Sequence, residues 1–224
     1  DTVTRMLCEE KVIGWFQGRM EYGPRALGSR SIIGDPRSQK MQQIMNVKIK
    51  FRESFRPFAP SVLKEHAHEI FGVLKDHNDP YMLFVAPVLD KWKTQKTEEE
   101  KVKENDPDLR IRLSIKRSEF PAITHVDYSA RIQTVDSDRH GRYYRLIKKF
   151  YDKTGCPMVV NTSFNIRGEP IVCDPEDAIS CFLGTDMDCL VLGNYIVRKE
   201  RQGKELLSYE ETRREKYKEL HTLD

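Results

Sequence analysis

Met158-Val159-Val160-Asn161-Thr162-Ser163-Phe164-Asn165-Ile166-Arg167-Gly168-Glu169-Pro170 passes from three apolar residues straight into a polar, turn-bearing segment. The first three read as a short buried strand. The residues after them read as a loop at a strand end, where α/β sheets bind their ligands. Gly168-Glu169-Pro170 already supplies a turn. The side chains of Asn161, Thr162, Ser163 and Asn165 are therefore candidates to hold a phosphate, a ribose or an amide instead of closing the turn on their own backbone.

Working outward, Asp138 to Thr154 carries Tyr143, Leu146, Ile147 and Phe150 at helical spacing. Ser137 or Asp138 is available as N-cap, and Gly155 then Pro157 stop the helix. Downstream, Asp174-Pro175-Glu176-Asp177 combines a cap, a proline at the first helical position and acid in the first turn, with Gly184 as the stop. Leu190 to Leu192 and Ile196-Val197 read as closing strands. Towards the N-terminus, Val12 to Gly18, Ser31 to Gly34 and Met82 to Val88 read as strands, and Ser38 to Ile49 as a helix delivering the segment that starts at Lys48. This alternation predicts an α/β (α+β) domain built on a mixed, twisted sheet over residues 1–198. Residues 91–119, rich in charge and poor in aromatics, read as a solvated insertion, and 199–224 as a charged helical tail.

The 224 residues suffice for a sizeable core. With 38% hydrophobic and 33% charged residues, the chain holds no apolar run near the roughly 20 residues that cross a bilayer. A net charge of +3 does not by itself argue for nucleic acid. Five cysteines without a C-x-x-C pair read as buried thiols of a cytoplasmic protein. Asp1-Thr2-Val3-Thr4-Arg5 has neither an initiator Met nor a signal profile, so the sequence reads as a piece of a longer protein.

Cations cluster beside backbone-bending residues at Gly18 to Arg25 (with Arg19 and Arg25), Gly28-Ser29-Arg30, Lys48-Ile49-Lys50-Phe51-Arg52 and Phe55-Arg56-Pro57-Phe58. Any one arginine could simply face solvent. Four clusters among apolar strands instead describe a polyanion site written in pieces, with arginine forks and lysine point charges. A P-loop and a G-x-G-x-x-G fingerprint are both missing, so neither mode of nucleotide binding is expected. His66 and His68, two apart on an expected helix, point away from each other and make a poor metal pair. His125 either orients the binding loops or is a satisfied structural histidine, the second being favoured.

Gly14 to Ile32, Phe55-Arg56-Pro57-Phe58-Ala59-Pro60 and Asn161-Thr162-Ser163-Phe164-Asn165 resemble the C-terminal region of the NodU/CmcH-type carbamoyltransferases. Pro121 to Asp127 and Ala130-Arg131-Ile132-Gln133-Thr134-Val135 extend the likeness. The resemblance implies a YrdC/Sua5-like fold whose K-x-R and S-x-N signatures are Lys50-Phe51-Arg52 and Ser163-Phe164-Asn165 here. It further implies that ATP and carbamoyl phosphate, with Mg²⁺, give a carbamoyl-adenylate and pyrophosphate before the carbamoyl group passes to an acceptor hydroxyl. Lys50, Arg52, Ser163 and Asn165 become the expected catalytic residues. Arg19, Arg25, Arg30, Arg56, Arg131, Asn161 and Thr162 become the expected binding residues. The expected partner is a Kae1-like N-terminal domain, which would carry the family's iron and meet the acceptor. The rival is a nucleotide- or RNA-binding module without catalysis of its own, which the low charge and the lack of a stacking-aromatic array support little.

Overall fold

A computed structural model of the chain describes residues 1–50, 56–108, 111–112, 115–206, 208 and 212, with the backbone alone for Lys48. Arg52 lies outside the described residues, as do Phe51, Phe55 and nearly all of the expected tail beyond residue 206.

The core is a mixed sheet. Its strands are β1 (Ile13–Phe16), β2 (Arg30–Gly34), β3 (Ala59–Leu63), β6 (Gln133–Val135), β7 (Met158–Ser163), β8 (Cys189–Leu192) and β9 (Tyr195–Arg198). Among the described residues these seven run in the order β6-β3-β7-β2-β1-β8-β9. Pairs β1–β8 and β3–β6 are parallel and the others antiparallel, so the chain folds as the α/β class expected of its alternation. A separate ribbon pairs β4 (Val85–Pro87) with β5 (Ser129–Arg131). The inner strands β1, β2 and β3 are buried at every position, so both faces of the sheet are covered there; β3 is a strand that the sequence reading had not marked.

Helix α1 (Thr2–Cys8) and the long α5 (Ser137–Thr154) pack together on the sheet, with Tyr143, Leu146, Ile147 and Phe150 of α5 buried as their spacing predicted. The cap of α5 is Asp136, whose carboxylate accepts the Arg139 N–H at 2.8 Å; it lies one residue earlier than the first position the sequence suggested. Gly155 closes the helix in the left-handed conformation at φ +72°. Helix α6 (Pro175–Leu183) starts on Asp174, which accepts the Asp177 N–H at 2.9 Å, and ends at Gly184. The helix expected over Ser38–Ile49 is a short α2 (Met41–Gln43) that widens into a π-helical turn over Ile44–Ile49 and ends at Lys50. Further short α-helices among the described residues are α3 (Ala67–Ile70) and α4 (Glu98–Glu104). Helix α4 sits in the charged segment, with a Thr97/Glu100 capping box and no buried residue.

Two expectations change. Residues 82–84 are not strand. The buried carboxylate of Asp79 accepts the N–H groups of Leu83 at 2.9 Å and Phe84 at 2.8 Å, and Met82 turns left-handed at φ +58°, so the extended run begins only at Val85. In the other direction, strand β7 does not stop at Val160. It continues through Asn161, Thr162 and Ser163, because β2 and β3 flank it on both sides: Asn161 pairs with Ile33 and Ala59, and Ser163 with Ser31. Asn161, Thr162 and Ser163 thus sit on an inner strand of the sheet, and Asn165 follows just beyond its end.

Candidate functional site

The last residues of β7 form the floor of a cleft of about 210 Å³. Asn161, Thr162 and Ser163 supply that floor, and Pro57, Phe58 and Ala59 enter from the adjacent start of β3. Pro24, Arg25 and Ala26 come from the β1–β2 loop, and Met82 and Arg131 from the two sides of the β4–β5 ribbon. Among the described residues the lining contains two arginines and no carboxylate. The Arg131 guanidinium is held below its usual pKa, first by burial and then by the positive charge of Arg25. Two like charges facing one small space without an acid between them suit an anion.

The β1–β2 loop is fixed from within. One oxygen of Glu21 accepts the N–H groups of Leu27 at 2.8 Å and Ser29 at 2.7 Å, and the Trp15 indole donates to the Gly28 carbonyl at 2.9 Å. Gly28, at φ +114°, lies against the Tyr143 ring so closely that a Cβ would stand 2.4 Å from its Cδ1. Arg30 is 4% exposed, and its guanidinium stacks on Phe16 at 3.5 Å from the ring centre. The same group donates to the carbonyls of Gln17, Gly18, Ser29 and Cys173 at 3.0 to 3.3 Å. Its fork ties the loop to the segment before α6 instead of lining the cleft.

Lys50 joins the two expected signatures. Its ammonium, 4% exposed, donates to the Ser163 carbonyl, to Ser163 Oγ at 3.2 Å, to the Asn165 carbonyl at 2.9 Å and to Asn165 Oδ1 at 2.7 Å. Ser163 Oγ in turn donates to Asn165 Oδ1 at 2.7 Å, and Asn165 Nδ2 donates to the Glu169 carbonyl at 2.8 Å. The end of β7 is thereby locked in one geometry with a positive charge behind it.

Asn161 is held by a second buried network. Its Nδ2 donates to the Ala26 carbonyl and to Gln133 Oε1, both at 3.0 Å, and Gln133 Nε2 donates to the Leu27 carbonyl at 2.8 Å. Because Ala26 and Leu27 present carbonyls that can only accept, the orientation of both amides follows. Asn161 Oδ1 and Arg131 Nε are both buried without a hydrogen-bond partner.

The structure therefore gathers Arg25, Arg131, Asn161, Thr162 and Ser163 at one cleft, with Lys50 and Asn165 behind Ser163. Arg19 is exposed on the β1–β2 loop. Arg56 is also exposed, and its carbonyl accepts from Gln42 and from Asn46 at 2.7 Å. His125 sits in a turn whose N–H donates to the Ser129 carbonyl at 2.9 Å; burial lowers its pKa, Asp127 raises it and Arg131 lowers it. His66 bonds Glu69 at 3.0 Å. Sequence reasoning passed over Met82, Gln133, Asp79 and Glu21. An acid inside a cationic, glycine-bearing loop was a usable signal for Glu21, whereas the other three act through distant partners.

Residues 4–199 match the family described as Carbamoyltransferase C-terminus. The chain is 54% identical to an uncharacterized protein of Synechocystis sp. over 89% of its own length and 32% of that protein's. It is 42% identical to Nodulation protein NolNO of Sinorhizobium fredii over 86% of the chain and 25% of the relative. To Nodulation protein NolO of Bradyrhizobium diazoefficiens it is 43% identical over 84% and 30%. The chain thus spans between a quarter and a third of the length of these relatives.

Proposed function

The chain belongs to the carbamoyltransferase C-terminal family, and from that premise we propose that its cleft binds carbamoyl phosphate and ATP and forms a carbamoyl-adenylate for transfer to an acceptor hydroxyl. The observation that carries this reading is the acid-free pairing of Arg25 and Arg131 over a strand end that offers Asn161, Thr162 and Ser163. At about 210 Å³ the cleft is smaller than the roughly 300–1,000 Å³ of sites that enclose a drug-sized ligand. It suits carbamoyl phosphate or the reacting end of ATP, with the nucleoside lying beyond its mouth.

In this reading the two guanidiniums neutralise phosphate oxygens, and Lys50 presents its charge through Ser163 and Asn165. A carbamoyl-bearing oxygen attacks the α-phosphorus, the bond to the β-phosphate breaks, and pyrophosphate leaves. With carbamoyl phosphate as donor, water first cleaves its P–O bond to give carbamate and inorganic phosphate, and it is a carbamate oxygen that then attacks the α-phosphorus. The side chains act by alignment and charge stabilisation, so no protein base is required. Among the described residues no three His, Cys, Asp or Glu converge as metal ligands. In this reading Mg²⁺ arrives with the nucleotide phosphates. A YrdC/Sua5-like topology, a cytoplasmic location and a Kae1-like partner domain that meets the acceptor and holds the iron complete the proposal.

Calorimetric titration of the chain with carbamoyl phosphate tests the binding half. Binding that weakens at least about tenfold in Arg131→Ala, the loss of a charge-assisted fork, is expected. Equal affinity in the two proteins would overturn the assignment.

A further inference from the structure

Resting on the carbamoyl phosphate reading of this cleft, we propose that Asn161 is the residue that distinguishes a carbamoyl group from an acyl group, with its Oδ1 accepting an N–H of the carbamoyl amino group. Asn161 is 2% exposed and lines the cleft, yet its Oδ1 is buried without a partner. An amide reversal cannot satisfy it. The Nδ2 group already faces the Ala26 carbonyl, and Gln133, itself fixed by the Leu27 carbonyl, presents an acceptor to the same nitrogen. A buried acceptor held in this way costs free energy until a donor reaches it.

Arg131 lines the same cleft, and its Nε is a buried donor without a partner. The two atoms are complementary, but neither satisfies the other. A ligand that answers both must offer an oxygen acceptor and an N–H donor within one small, anionic molecule. Carbamoyl phosphate has this pattern: its phosphate or carbonyl oxygen serves Arg131 and its amino group serves Asn161. Acetyl phosphate has nearly the same shape and charge but places a methyl group where the amino group stands. It would bury Asn161 Oδ1 against a group that cannot donate, and sites built to hydrogen-bond a substrate N–H reject analogues that lack it.

The test titrates the chain and its Asn161→Ala variant with carbamoyl phosphate, acetyl phosphate and inorganic phosphate, with a thermal melt to confirm that the variant folds. The wild type should bind carbamoyl phosphate at least about tenfold more tightly than acetyl phosphate, a factor that one satisfied buried polar group can supply. In Asn161→Ala the ratio between the two should fall to about one, whatever affinity both lose together when the Ala26 carbonyl beside Arg25 is released. Equal wild-type affinities would overturn the role of Asn161 while leaving the phosphate site standing. A preference that survives in the variant would assign the discrimination to another residue. Failure of all three phosphates to bind the wild type would remove the carbamoyl phosphate reading and this inference with it. Should the variant not fold, the wild-type ratio between carbamoyl and acetyl phosphate still decides.

Discussion

The ammonium of Lys50 donates to both the carbonyl and the hydroxyl of Ser163, a residue 113 positions away in the chain. One bond supports the strand end and the other orients the hydroxyl that lines the cleft. Lys50→Met removes a charged donor from several buried acceptors, and we expect a loss of about 2–3 kcal/mol in urea denaturation. Because Ser163 and Asn165 are freed together, the variant should also lose carbamoyl-phosphate-dependent pyrophosphate release. A variant as stable as the wild type would show that the ammonium does not hold this strand end.

Gly28 and Gly18 separate two costs of adding a methyl group to the same loop. Gly18, at φ +55°, has nothing within 4 Å of the place a Cβ would take, so Gly18→Ala should cost only the left-handed strain of about 1–2 kcal/mol. Gly28→Ala meets the Tyr143 ring at 2.4 Å and should cost clearly more, about 3 kcal/mol or above, since an overpacked buried ring adds to the strain. Melting temperatures of the two variants provide the comparison. Equal losses would mean that the loop does not pack on α5 as described.

Acid sensitivity follows from His125 and His140, whose pKa values are both lowered chiefly by burial. Asp127 partly opposes the shift at His125 and Arg131 adds to it; Asp136 and Glu21 oppose it at His140 and Arg139 adds to it. A histidine whose folded pKa lies below its unfolded value of 6.5 binds a proton more weakly when folded. Its contribution is therefore complete above 6.5 and is lost as the pH falls below that value. The melting temperature should drop between about pH 7.5 and about pH 5.5, and His140→Gln should flatten that dependence. An unchanged pH profile in the variant would exclude His140 as a source.

Met82, just before β4, lines the cleft together with Arg131 of the ribbon, and Asp79 fixes the Met82 turn by accepting the two N–H groups that follow. Asp79→Ala leaves those groups unpaired and releases the left-handed turn. Weaker binding of carbamoyl phosphate together with a stability loss of about 1–3 kcal/mol is expected from calorimetry and denaturation. Unaltered affinity in a destabilised protein would confine Asp79 to a structural role.

What was legible in the sequence was local. The apolar face of α5, the Asp174-Pro175 start of α6 and the stops at Gly155 and Gly184 each rest on neighbours within a few residues. The extension of β7 through Asn161 to Ser163 was hidden, because polar residues on a strand look like a loop until β2 and β3 close on both sides. Arg30 read as one of the phosphate-binding cations, yet its place beside Ser31-Ile32-Ile33 put it on a fully buried strand, where its fork is taken up by backbone carbonyls. Arg25 and Arg131 were readable as cations but not as neighbours, since the ribbon that brings Arg131 across depends on pairing with Val85.

The most direct test of the account measures pyrophosphate release from ATP and Mg²⁺, with and without carbamoyl phosphate, by the chain and by Arg131→Ala. We expect release that requires carbamoyl phosphate and falls by at least about a hundredfold in the variant, the scale of losing a preorganised charge at the reacting group. Release that is absent, that ignores carbamoyl phosphate, or that persists unchanged in Arg131→Ala would contradict it.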